Sequence, residues 1–149
     1  MTTDTTELAD RLAWRRARIA TAMAIVFAIS QAGSFPADNA TLNRPQVVHL
    51  VAWGVWAVAL LIFLLGGGFG MFRSAGVRAL LNDESTLVNR RRAQALGFWG
   101  AILAAIGMYA LSFVDTVSAR DATRIIITVA IVMALLRFGM LERRALKGG

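Results

Sequence analysis

The chain has 149 residues, of which 57% are hydrophobic and 17% charged, with a formal net charge of +7 and no cysteine. This balance departs from that of a soluble globular domain and points to lipid. The missing cysteines exclude disulfide exchange, thiol nucleophiles, iron–sulfur clusters and thiolate metal sites, and basic residues gather on the cytoplasmic side of membrane proteins for topological reasons, so the positive charge implies no direct nucleic-acid partner.

The N-terminal segment carries Arg11, Arg15, Arg16 and Arg18. It reads as a short amphipathic helix, with Leu8, Leu12 and Ile19 loosely on one side and Trp14 suited to the interface. An uncharged run follows and predicts a first span over about 18–35. Its end, Ser30-Gln31-Ala32, has the small residues of a signal-peptidase site, but the segment before it is long for a signal peptide, and the run is read as a retained span. The connection SFPADNATLNRPQ, punctuated by Pro36 and Pro45, has turn chemistry and no room for a domain.

A second span is expected over about 47–69. It opens with His49, Trp53 and Trp56 and closes in GGGFG. No strand precedes those glycines and no Lys-Ser/Thr follows them, so they serve packing or chain exit, not phosphate binding. His49 is the sole histidine, and without further ligands it reads as interfacial packing; no metal and no cofactor are expected.

The segment 70–92 is longer than the two to eight residues that usually join antiparallel helices. Val77, Leu80, Leu81, Leu87 and Val88 recur near helical spacing, which predicts two short helical pieces or a break near Asn82. Asn82 or Asp83 can cap the second piece, and Asp83 and Glu84 then lie in its first turn, where negative charge suits the helix dipole. If that helix runs unbroken into the third span, expected over about 93–114, Arg90, Arg91 and Arg92 stand at the headgroup level, where they fix depth and attract anionic lipid. Asp83 and Glu84 are expected to pair with Arg73, Arg137 or Arg143.

After DTVSARDAT the run Ile125–Leu136 has only twelve residues. It becomes a fourth span, over about 122–141, only if Arg137 snorkels and FGML continues the helix. Orientation follows from counting Lys and Arg: thirteen lie before the first span, between the second and third, and from Arg137 onward, against Arg44, Arg120 and Arg124 elsewhere. Both termini and the central segment are therefore expected inside, and losing the fourth crossing would put the basic tail outside.

Together these readings predict an all-α membrane protein, an up-down bundle of four transmembrane helices, multi-pass in a bacterial inner membrane. Lipid supplies little hydrophobic drive between helices, so close approach through small residues matters most. Ala20, Ala24, Ala28 and Ala32 in the first span, and Ala93, Gly97, Ala101 and Ala105 in the third, form such stripes at a spacing of four. They also offer a face for a homodimer.

Polar groups within the spans are few. Gln31, His49, Tyr109, Ser112 and Thr128 all fall in the outer third of the bilayer. They read either as interhelical hydrogen bonds or as a polar path for a small molecule or proton. No Asp, Glu, Lys or Arg occupies the middle of a span, which weighs against proton-coupled export. No acid pair, Ser-His dyad or phosphate-binding fingerprint supports an enzyme.

The run RALLNDESTLVNRRRAQALGFW resembles small four-span bacterial inner-membrane proteins of uncharacterised function, in which a cytoplasmic Asn-Asp-Glu element, a hydroxyl residue, Asn-Arg and an Ala-x-x-Gly-Phe helix entry lead into the third span. The resemblance covers about 22 residues, and beyond it only the hydropathy plan is shared. It implies no catalytic residue; relatives encoded beside small helix-turn-helix regulators imply a membrane-held regulatory partner. The expected function is that of a non-enzymatic regulatory, anchoring or accessory subunit acting through Asp83, Glu84 and Arg90 to Arg92, with a small dimeric channel or transporter as the alternative.

Overall fold

A chain crossing lipid must satisfy its own backbone N–H and C=O groups, and uncharged runs without strand alternation do so as helices. The computed structural model describes residues 2–32, 44–65 and 84–147. Among the described residues there are four helices and no strand: α1 Thr2–Ala32, α2 Arg44–Leu65, α3 Glu84–Leu111 and α4 Ala119–Lys147.

Three of these are long and apolar enough to cross a membrane, over Val47–Leu65, Thr86–Leu111 and Ala119–Ala145. In α1 the uncharged stretch runs only from Ile19 to Ala32 within the helix, short of the roughly 20 residues a crossing needs. The last helix, which depended on Arg137 and FGML, continues through them without a break, while the first is the short one.

α4 is the central element. It packs along α3 and along α1, and more lightly on α2. Short loops alone favour neighbours in sequence, and α3 and α4 follow that rule; the chief partner of α1 is instead the last helix. Small residues explain why. Ala17, Ala20 and Ala24 of α1 are fully buried, and Gly139 of α4 approaches so closely that a β-carbon there would lie 3.1 Å from the Ala17 carbonyl oxygen. On the other side a β-carbon on Gly97 would lie 2.8 Å from the Ala130 carbonyl oxygen and 2.9 Å from Ala134 Cβ. Such approaches maximise van der Waals contact, which holds helices together in lipid.

The core sits where these helices meet, built from Phe27, Leu60, Ile131, Leu135 and Phe138 around the alanines. Outside it the protein is apolar. Val48, Val55, Phe98, Leu103, Ile106 and Phe113 are all exposed, a number of large apolar side chains that suits lipid better than water.

The turn between α3 and α4 is tightly made. Val114 N–H donates to Leu111 O at 2.9 Å and Phe113 N–H to Ala110 O at 3.3 Å, so α3 ends by narrowing to i→i+3 bonds. Ser118 caps α4: its Oγ accepts from Asp121 N–H at 3.1 Å and donates to Asp121 Oδ2 at 2.6 Å. That cap fixes where α4 starts and hence the depth of every polar side chain along it.

Candidate functional site

The described polar side chains gather at two levels. At the first, Arg16 of α1 and Glu142 of α4 face each other, with Arg16 Nη2 3.4 Å from Glu142 Oε2. Both are buried, Arg16 at 8% and Glu142 at 4% exposure. The contact is long for a charge-assisted hydrogen bond, which usually spans about 2.7–2.9 Å. Thr86 and Asn89 of α3 face the same carboxylate, yet neither makes a well-aligned bond to Oε1, which has no hydrogen-bond partner. Beside this pair Arg143 Nη2 donates to Thr21 Oγ1 at 3.3 Å, and Thr21 Oγ1 donates to Ala17 O at 2.9 Å.

Helical spacing explains the convergence. Glu142 continues the buried stripe of Ile131, Leu135 and Phe138; Arg16 and Ala17 begin that of Ala20, Ala24 and Phe27; Thr86 and Asn89 lie two turns and one turn before Ala93. All three helices therefore turn polar side chains inward at one level. A buried ion pair of this kind contributes little net stability against an apolar replacement, but breaking it from one side is costly. What it does is tie the middle of α1 to the start of α3 and the last turns of α4.

The second level lies at the other end of α1. Arg124 Nε donates to Gln31 Oε1 at 2.8 Å, and its guanidinium carbon stands 5.8 Å from the centroid of the Trp53 ring, within cation–π range. Trp53 Nε1 and Thr128 Oγ1 are buried there without hydrogen-bond partners. Between Arg124 and Glu142, α4 rises about 27 Å, close to the roughly 30 Å of hydrocarbon in a bilayer. The two polar levels bracket a layer of membrane thickness filled by Phe27, Ile131, Leu135 and Phe138.

Of the residues expected in a polar path, the structure brings Gln31 and Thr128 to this second level. His49 is exposed on α2, Tyr109 is 68% exposed and stacks edge-on against Phe113 at 5.0 Å, and exposed Ser112 donates its Oγ to Tyr109 O at 2.6 Å. These three face outward and do not join the pair. In the central segment Asp83 lies outside the described residues, as do Arg73, Val77, Leu80, Leu81 and Asn82. Glu84 is the first residue of α3, and the helix runs unbroken from it through Arg90, Arg91 and Arg92 into the apolar stretch. Arg91 and Arg92 are exposed and Arg90 half-buried. Arg143, expected as a partner of Asp83 or Glu84, is turned to Thr21. Sequence reasoning missed Arg16, Glu142 and Trp53 as members of polar clusters; Arg124 was expected at the second level only as an interfacial charge, and it is turned to Gln31. No protein-family model, curated protein or solved structure matches this chain.

Proposed function

We propose that the chain is a four-span integral protein of the bacterial inner membrane, with both termini and the segment before α3 in the cytoplasm, acting without catalysis as a regulatory, anchoring or accessory subunit. The observation that carries this reading is the junction of Arg16, Glu142, Thr86 and Asn89. It joins α1, α3 and α4 close to the start of α3, on the helix that carries the 90–92 arginines, which gives a partner a held surface to meet. α1 lies beside α4 from Arg16 to Gln31, which supports its crossing together with α4. The excess of Lys and Arg on one side orients the bundle, and anionic lipid meets the exposed Arg91 and Arg92.

A channel or transporter is the rival, working through Gln31, His49, Tyr109, Ser112 and Thr128. The apolar filling between the two polar levels argues against a route inside one chain, so such a path needs a second copy. The readings part in one comparison. A photo-reactive cross-linker at position 84 or 87 in native membranes is expected to capture one defined partner, and charge reversal at Asp83 and Glu84 is expected to abolish the capture. Movement of an ion or dye by purified protein in liposomes, abolished by Gln31→Leu or Tyr109→Phe, would instead establish transport and displace the accessory reading.

A further inference from the structure

We infer that Glu142 is a proton-binding site that exchanges helix partners: as a carboxylate it ties α4 to α1 through Arg16, and as a neutral acid it ties α4 to α3 through Asn89 or Thr86. The switch would regulate the junction that carries the proposed function, and rests on that reading for its purpose, but it operates within one chain and needs no partner. Only one member of the junction changes charge. A guanidinium keeps its proton in proteins, and neither threonine nor asparagine ionises. Around the carboxyl group α1 brings Arg16, and α3 brings Thr86 and Asn89. On α4 the neighbouring Arg143 turns its Nη2 to Thr21 instead. The titratable side chains of α2 are Arg44 and His49, both in its first two turns, and the residue that follows them toward the core, Trp53, stands at the opposite polar level beside Arg124.

The geometry provides for both forms. In the charged form Oε2 meets Arg16 Nη2 at 3.4 Å, while Oε1 is buried and accepts no hydrogen bond. A carboxylate has lone pairs for about four bonds, and a buried acceptor left unmade carries the cost of its desolvation. Oε1 is therefore the oxygen placed to receive a proton from water. The proton turns that acceptor into an O–H donor. Asn89 and Thr86 both face the carboxyl group, and each carries an oxygen that can accept from it, the asparagine by turning its amide. Arg16 is left with a neutral carbonyl oxygen in place of a carboxylate, and the charge assistance that about doubles the strength of such a contact is lost. One bound proton thus moves the polar tie of α4 from α1 to α3.

The test uses the full chain in phosphatidylcholine nanodiscs, titrated from about pH 8 to about pH 4, across the range in which carboxyl groups of proteins ionise. Infrared difference spectra read the C=O stretch of protonated carboxylic acids. A band that grows on acidification and is missing in Glu142→Gln reports the proton, and Asn89→Leu or Thr86→Val is expected to shift it by removing the acceptor. The chain has no cysteine, so spin labels can be placed at chosen positions. Arg15→Cys with Ala145→Cys reads α1 against α4, and Leu87→Cys with Ala145→Cys reads α3 against α4, all three positions being exposed. The α1–α4 distances are expected to broaden in step with the band while the α3–α4 distances hold. Glu142→Gln keeps the shape without the charge and is expected to show the broadened α1–α4 distances at every pH. The inference is overturned if no titrating band is removed by Glu142→Gln, if both Asn89→Leu and Thr86→Val leave the band in place, or if the α1–α4 distances fail to follow it. It is overturned equally if those distances change with pH in Glu142→Gln as they do in the wild type. A failed capture from position 84 or 87 leaves these readings standing, and their failure leaves the capture standing.

Discussion

Glu142→Leu is expected to lower the stability of the folded bundle by about 3 kcal/mol, and adding Arg16→Met to it is expected to recover most of that loss. The asymmetry follows from burial. With Glu142 replaced, the Arg16 guanidinium stays 8% exposed among helix ends and loses the carboxylate that offsets its desolvation. Removing both charges removes both desolvation costs and leaves Met and Leu to fill a volume next to Phe138 and Leu141, which are already buried. The 3.4 Å separation places the single-variant effect at the lower end of the roughly 3–5 kcal/mol seen when one partner of a buried pair is taken away. Unfolding by added SDS in mixed micelles, carried through the full double-mutant cycle, measures the coupling directly. A single variant within about 0.5 kcal/mol of wild type would show that the pair does not fasten the helices, and a double variant as unstable as the single would assign the effect to packing.

That junction also shows what the sequence could and could not convey. The helices and their lipid-facing belt were legible, because lipid permits few alternatives to a helix and uncharged runs mark where it applies. The small-residue stripes were legible in part. Ala20, Ala24, Ala93 and Gly97 are buried against α4, whereas Ala105 is exposed and Ala28 and Ala101 are half-buried. A spacing of four names a face but not where along it two helices diverge, since that depends on their crossing. A matching pair on α4, Ala130 and Ala134 at the same spacing, is the signal that could have marked the central helix and was not used. Arg16 and Glu142 were hidden because each belongs to a group of charges with another explanation: Arg16 counts among the basic residues that orient the chain, and Glu142 among the charges of a tail. Extending the apolar stripe of Ile131, Leu135 and Phe138 by one more turn reaches Glu142, and extending that of Ala24 and Ala20 backwards reaches Arg16 and Ala17. Among the described side chains of LLNDESTLVNRRRA, Thr86 and Ala93 are buried and Asn89 and Arg90 half-buried, with Arg91 and Arg92 outside.

Gly97→Leu is expected to destabilise the bundle by about 3 kcal/mol, while Gly107→Leu on the same helix is expected to be neutral or stabilising by up to about 1 kcal/mol. Both replacements gain the same helix propensity, because glycine costs a helix interior about 1 kcal/mol relative to good helix formers. They differ in what the new side chain meets. At Gly107 nothing lies within 4 Å of a β-carbon, so leucine extends into lipid that accepts it. At Gly97 the first added atom falls 2.8 Å from the Ala130 carbonyl oxygen, and that oxygen belongs to the backbone of α4 and cannot rotate aside. α3 and α4 must then separate along the stretch where they pack most closely, and the dispersion contacts that hold helices together in lipid weaken steeply with a gap of even half an ångström. The same displacement pulls Thr86 and Asn89 away from Glu142 two to three turns along the helix, so Gly97→Leu is also expected to shrink the coupling measured between Arg16 and Glu142. Equal stability of the two glycine variants in SDS unfolding would rule out close α3–α4 approach as the source of the bundle's cohesion. An unchanged coupling in a destabilised Gly97→Leu would separate that approach from the polar junction it is expected to position.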